Sequence, residues 1–118
     1  MKNDVDYSLD ENLKSSIIKI KNIILSKLYN TDIYLFGSIA KGRYSKQSDI
    51  DLLVIIDENK STKELRVLRH EIEDVLDTFR LERDVDIKLY SKERYNELCK
   101  KPCFEQAILK DLVDIGGW

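Results

Sequence analysis

Apolar residues recur near the start of the chain at intervals of three and four: Leu9, Leu13, Ile17, Ile20, Ile24 and Leu28. That spacing is one stripe of an amphipathic helix, which Tyr29-Asn30 would close. Ser8 followed by Glu11 has the form of a capping box that would open it. Ile33-Tyr34-Leu35-Phe36 reads as a short buried strand stopped by Gly37, and a polar loop follows from Lys41 to Ser48. Ile50 to Ile56 is rich in β-branched residues and too short for a typical helix, so it reads as a second buried strand. Ser61 and Glu64 repeat the capping-box spacing ahead of a second helix whose apolar face is Leu65, Leu68, Ile72, Val75 and Phe79. Val85, Ile87 and Leu89 alternate with Asp84, Asp86, Lys88 and Tyr90, the period of a half-exposed strand. Ser91 would cap a short helix to about Leu98. Pro102 suits the first turn of a last helix carrying Phe104, Ile108, Leu112 and Ile115, ended by Gly116-Gly117. The order α-β-β-α-β-α-α predicts an α/β domain of two or three layers.

Composition narrows the class. With 118 residues the chain has room for one compact domain, so residues 1–118 are read as a single unit. A hydrophobic share of 42% fills one core and argues against global disorder. Charged residues make up 36%, but 20 Lys plus Arg against 22 Asp plus Glu leave a net charge of −2. That balance argues against a generic electrostatic grip on nucleic acid. No apolar run approaches the ~20 residues needed to span a bilayer, and the polar, acidic stretch from Met1 to Asp10 does not resemble a secretory signal. Cys99 and Cys103 have no further Cys or His nearby, and the one histidine, His70, is remote in sequence. They read as small buried hydrophobes in a reducing cytoplasm rather than as a metal site.

Candidate chemistry concentrates between Phe36 and Val54. Asp49 and Asp51 stand two apart at the head of a strand, so both are expected on one face, beside the buried run. Two such carboxylates repel, and a bridging cation makes the arrangement tolerable. Mg²⁺ suits hard oxygen ligands and is commonly held by one or two carboxylates plus substrate phosphates. Gly37-Ser38 directly follows a strand; glycine permits close backbone approach, and a serine hydroxyl is a phosphate donor. Lys41, Arg43 and Lys46 place three cations in the loop leading to Asp49, suited either to a polyphosphate or to solvent. The Walker spacing is absent. A third carboxylate, Asp84 or Asp86, would come from the last strand, and spacing alone does not choose between them. Ordinary ion pairs of Arg83 with Asp84, or of Lys88 with Asp86, are the plainer reading of that stretch. His70 reads as a solvated helix residue, Tyr44 as a loop aromatic able to stack on a base, and Trp118 as a residue that packs locally or at an interface.

Gly37-Ser38, ten intervening positions, then Asp49-Ile50-Asp51 resembles the signature of the minimal nucleotidyltransferases, of the DNA polymerase beta-like nucleotidyltransferase superfamily. Ala40-Lys41-Gly42 and the run from Ser48 to Val54 match the same pattern. Val85-Asp86-Ile87 resembles the strand that supplies the family's third carboxylate, which favours Asp86. The resemblance spans nearly the whole chain and implies the nucleotidyltransferase fold: a small mixed sheet of three or more strands flanked by helices. It implies that Asp49, Asp51 and Asp86 hold Mg²⁺, two ions in the usual arrangement, with Asp86 also acting as base. Gly37, Ser38, Lys41, Gly42, Arg43 and Ser48 would line the nucleotide side. The implied reaction moves a nucleoside monophosphate, AMP from ATP or its equivalent from another NTP, to a hydroxyl and releases pyrophosphate.

Family members of this size are often encoded beside a HEPN-domain protein, to which they act as antitoxin, and studied cases adenylylate a tyrosine of that partner. Two alternatives stay open. One is a docking antitoxin that neutralises its partner by binding alone. The other is an enzyme acting on a small molecule or an RNA end, although so short a chain leaves the acceptor to be held by a partner or a second subunit.

Overall fold

In the computed structural model, which describes residues 10–81 and 83–118, the first apolar stripe forms α1 (Glu11–Lys27). Leu13, Ile17, Ile20 and Ile24 are buried along it, and Leu28 just past its end. Ser8 and Leu9, expected at its start, lie outside the described residues. After β1 (Thr31–Phe36) come a single helical turn, α2 (Gly37–Ala40), a loop, and β2 (Ile50–Ile56). α3 (Thr62–Asp77) then crosses to β3 (Val85–Ser91). α3 opens on the expected capping box: the Glu64 N–H donates to Ser61 Oγ at 3.1 Å and the Ser61 N–H to Glu64 Oε1 at 3.0 Å. The pair satisfies two backbone donors that a helix start leaves open. Because α3 ends at Asp77, Phe79 falls beyond it instead of on the buried stripe; it is 41% exposed, with Lys19 Nζ 4.4 Å from its ring centroid.

The sheet runs β3-β2-β1-β4, the last strand being the short β4 (Val113–Asp114). β1 pairs antiparallel with β2, and β2 parallel with β3 through the α3 crossover. Side chains alternate between its faces. Leu52, Val54 and Ile56 join the residues of α1 and α3 in the main core, while Phe36, Leu53 and Ile55 meet Tyr95 on the other face. That second face is covered by α4 (Lys92–Leu98) and α5 (Phe104–Ala107). As expected, Ser91 caps α4, its Oγ accepting from the Arg94 N–H at 3.3 Å. The result is a mixed α/β arrangement with helices on both faces of a four-stranded sheet.

One element differs from its expectation. The single long helix expected from Phe104 to Ile115 is replaced by α5, a 3₁₀ turn (Leu109–Asp111) and β4 (Val113–Asp114). The physical reason is the open edge of β1. Leu35 pairs with Val113, and Ile115 donates its N–H to Ile33 O at 3.1 Å. Pairing that edge satisfies buried backbone groups and places Val113 and Ile115 in the core. Lys21, buried on α1, donates to Trp118 O at 2.5 Å and to Gly116 O at 3.4 Å, and Lys14 lies over the Trp118 ring, so that residue packs locally. No helix among the described residues is long and apolar enough to cross a membrane.

Candidate active site

Register across the sheet builds the site. Phe36 of β1 faces Asp51 of β2, and Asp51 faces Asp86 of β3, so the three form one row on the face covered by α4 and α5. Gly37 follows at once, with φ +79°. A Cβ there would overlap Asp51 Oδ2 and lie 3.0 Å from its Cγ, so glycine is required both by the backbone and by the neighbouring carboxylate. A cleft of about 380 Å³ opens at this row. Gly37, Lys41, Asp51, Asp86, Lys88 and Asp111 supply its polar wall, and Phe36, Phe104 and Ile108 its apolar wall. Phe104 meets Phe36 edge to face, ring centroids 5.8 Å apart.

The electrostatics are strained in one direction. Burial pushes the Asp51 carboxyl up to about 6; the charges of Asp86 and Asp49 add to this, and Lys88 opposes it. Lys88 Nζ stands 3.8 Å from Asp86 Oδ2, the plain ion pair that the sequence allowed, and Lys41 Nζ stands 3.8 Å from Asp111 Oδ2. Among the described residues no group of three or more His, Cys, Asp or Glu side chains is placed to hold a metal ion. A hard cation that keeps water and substrate phosphates needs only one or two carboxylates, and the all-oxygen, mutually repelling set here suits one.

The loop before Asp49 is fastened from a distance. Arg83 donates through Nη1 to Ser45 O at 2.7 Å and to Ser48 O at 2.8 Å, and its guanidinium lies 5.6 Å from the Tyr44 ring centroid. Ser48 Oγ accepts from the Ser45 N–H at 2.9 Å, so that hydroxyl is engaged within the loop. The Ile50 N–H donates to Asp84 O at 2.9 Å.

Of the residues singled out in sequence, Gly37, Lys41, Asp51 and Asp86 converge on the cleft. Ser38 is half-buried in α2. Asp49 is exposed just before β2, near enough for its charge to act on Asp51. Gly42 has φ +73° with open space around it, and Arg43 and Lys46 are exposed outside the cleft lining. Asp84 borders a separate groove beside His70 and Asp77, which leaves Asp86 as the carboxylate next to Asp51. Arg83 turns to the loop instead of pairing with Asp84. His70 is exposed beside Glu73, the Tyr44 ring packs on the main core, and both cysteines are free. Phe104, Ile108 and Asp111 were not legible as cleft residues, because a continuous terminal helix gives no signal of which side faces Asp51.

A mixed sheet with a Gly-Ser turn after one strand and aspartates in register on the next two defines a class of enzyme, the nucleotidyltransferases. Residues 17–116 match the nucleotidyltransferase domain model, and the chain belongs to that family. It is 33% identical over 81 residues to a Methanocaldococcus jannaschii protein named as a protein adenylyltransferase, covering 69% of this chain and 74% of that one. A second protein so named from the same organism is 43% identical over 47 residues, 40% of this chain and 47% of its own length. Among solved structures, a mutant of the toxin–antitoxin MntA-HpeT superposes with a TM-score of 0.53 at 21% identity, over 93% of this chain and 75% of that one, a likeness of fold. The chain is thus a nucleotidyltransferase, as its motif implied.

Proposed function

We propose that this nucleotidyltransferase moves AMP from ATP to a hydroxyl of a partner protein, depends on Mg²⁺, and serves as the antitoxin of a HEPN-type toxin. The observation that carries the chemistry is the register that sets Asp51 against Asp86 beside Gly37. The protein acceptor is supported by relatives named as protein adenylyltransferases; the HEPN partner rests on the sequence resemblance. Asp51 and Asp86, paired in register, would hold the ion, with Asp49 as the third ligand that the sequence resemblance implies. When bound, it offsets the charge of these carboxylates and of the phosphates and makes the α-phosphorus more electrophilic.

The chain's own groups do the rest. Gly37 leaves space against Asp51, and the Ser38 hydroxyl and Lys41 are offered to the phosphates, with Gly42, Arg43 and Ser48 on the same loop. The acceptor oxygen bonds to the α-phosphorus as the bond from that phosphorus to the bridging oxygen breaks. Pyrophosphate leaves, and Asp86 takes the hydroxyl proton. Phe104 and Ile108 give the cleft an apolar wall opposite these polar groups.

The test is intact-mass spectrometry of the neighbouring gene's product after incubation with this protein, Mg²⁺ and each of the four NTPs. One added nucleoside monophosphate, absent with Asp51→Ala or Asp86→Ala, is the expected result. Neutralisation of the partner without any mass gain, and equally by the variants, would replace catalysis with docking.

A further inference from the structure

A second cavity, of about 470 Å³, lies between α3 and α4 over the outer strand β3. Three arginines line it: Arg66 and Arg69 from α3 and Arg94 from α4. None of the three makes an ion pair among the described residues. Arg69 Nε is buried with no hydrogen-bond partner there, a costly state for a charged donor. The one carboxylate in the lining, Glu105, is already engaged, accepting from the Tyr90 hydroxyl at 2.6 Å. Three arginines therefore share the lining with one occupied carboxylate, in a chain whose overall charge is −2.

Solvated surface arginines explain a scatter of positive charge, but not the convergence of three of them on one concave site. Guanidinium forks match the oxygens of phosphate groups, and three of them suit a ligand with more than one. The cavity falls in the size range of small-molecule pockets of about 300–1,000 Å³. Leu89 gives it an apolar floor. A nucleic acid would call for an extended basic track, and this is a single pocket on a nearly neutral chain.

We propose that this cavity is a second ligand site, distinct from the cleft at Asp51, for a small molecule carrying two or more phosphate groups. It shares one element with the cleft: on α5, Glu105 lines this cavity and Phe104 the other.

The experiment is a titration of the ¹⁵N-labelled full chain with inorganic pyrophosphate in EDTA, followed by amide chemical shifts. Saturable shifts across residues 62–69 and 89–98 are expected. Arg66→Gln and Arg94→Gln should each weaken them at least about tenfold; both positions are exposed, so a dispersed spectrum verifies the fold. ATP reproducing the shifts identifies a nucleotide as the source of the phosphates, and pyrophosphate alone a free polyphosphate. The proposal is overturned by silence in those segments, by equal binding in both variants, or by a hexaglutamate peptide or a short RNA binding there when pyrophosphate does not.

Discussion

A methyl group at position 37 would collide with the carboxylate at the centre of the cleft. Gly37→Ala should therefore lower the melting temperature, with a backbone cost of about 1–2 kcal/mol for the left-handed conformation, and should abolish nucleotide transfer. Gly42→Ala provides the comparison, because its φ of +73° carries the same backbone cost without any neighbour to strike. An equal fall in melting temperature in the two variants would contradict this reading. Asp51 yields a second expectation at the same scale. Its pKa is raised from 3.8 to about 6 in the folded protein, so between those values the native state holds more protons than the unfolded chain. In the metal-free protein its contribution thus weakens as pH rises through that window and is fully unfavourable above it. Asp51→Asn should be more stable than wild type at pH 7.5, by about 1 kcal/mol after solvent screening, and the gap should close as pH falls to 4. Denaturant titrations at the two pH values measure it. The choice between Asp84 and Asp86 shows what spacing withholds: both fit the alternation, and only the strand register puts one of them against Asp51.

At the scale of elements, most of the fold was legible because its signals are local. β2 runs from Ile50 to Ile56 as its composition suggested, and α3 starts at the Ser61–Glu64 box. The end of the chain was not legible, because an apolar spacing compatible with a helix says nothing of the vacant edge of β1. That edge turned Val113 and Ile115 into strand and core residues. Arg83 escaped for the same reason. Its sequence neighbours suggest a surface ion pair, whereas its acceptors, Ser45 O and Ser48 O, lie in a loop more than thirty residues earlier in the chain. Arg83→Ala should speed hydrogen exchange across residues 45–49 and lower transfer several-fold while shifting the melting temperature little. Arg83→Lys, which keeps one cationic donor, should restore part of the transfer. Unchanged exchange in the alanine variant would remove Arg83 from any role in shaping this loop.

For the whole molecule, the division of the sheet into two faces decides where chemistry can sit. Its main face is closed by α1 and α3, whose apolar residues leave Ile17, Ile20 and Ile72 with no exposed surface. The other face carries a smaller apolar cluster under short helices, and there the row from Phe36 to Asp86 reaches the cleft. The sequence announced the acids and the glycine but not this asymmetry, which arises from the packing of remote helices. The parallel pairing of Asp51 with Asp86 also has a temporal meaning. β1 and β2 are close in sequence and can join early, whereas β3 must wait for the whole α3 crossover to be made, and contacts of that range form slowly. During synthesis, a chain that has emerged only as far as α3 contains Gly37 and Asp51, which β1–β2 pairing brings together, and still lacks Asp86. On the proposed mechanism such a chain has nothing to take the acceptor's proton, and the pairing of β1 with β4 is still to come.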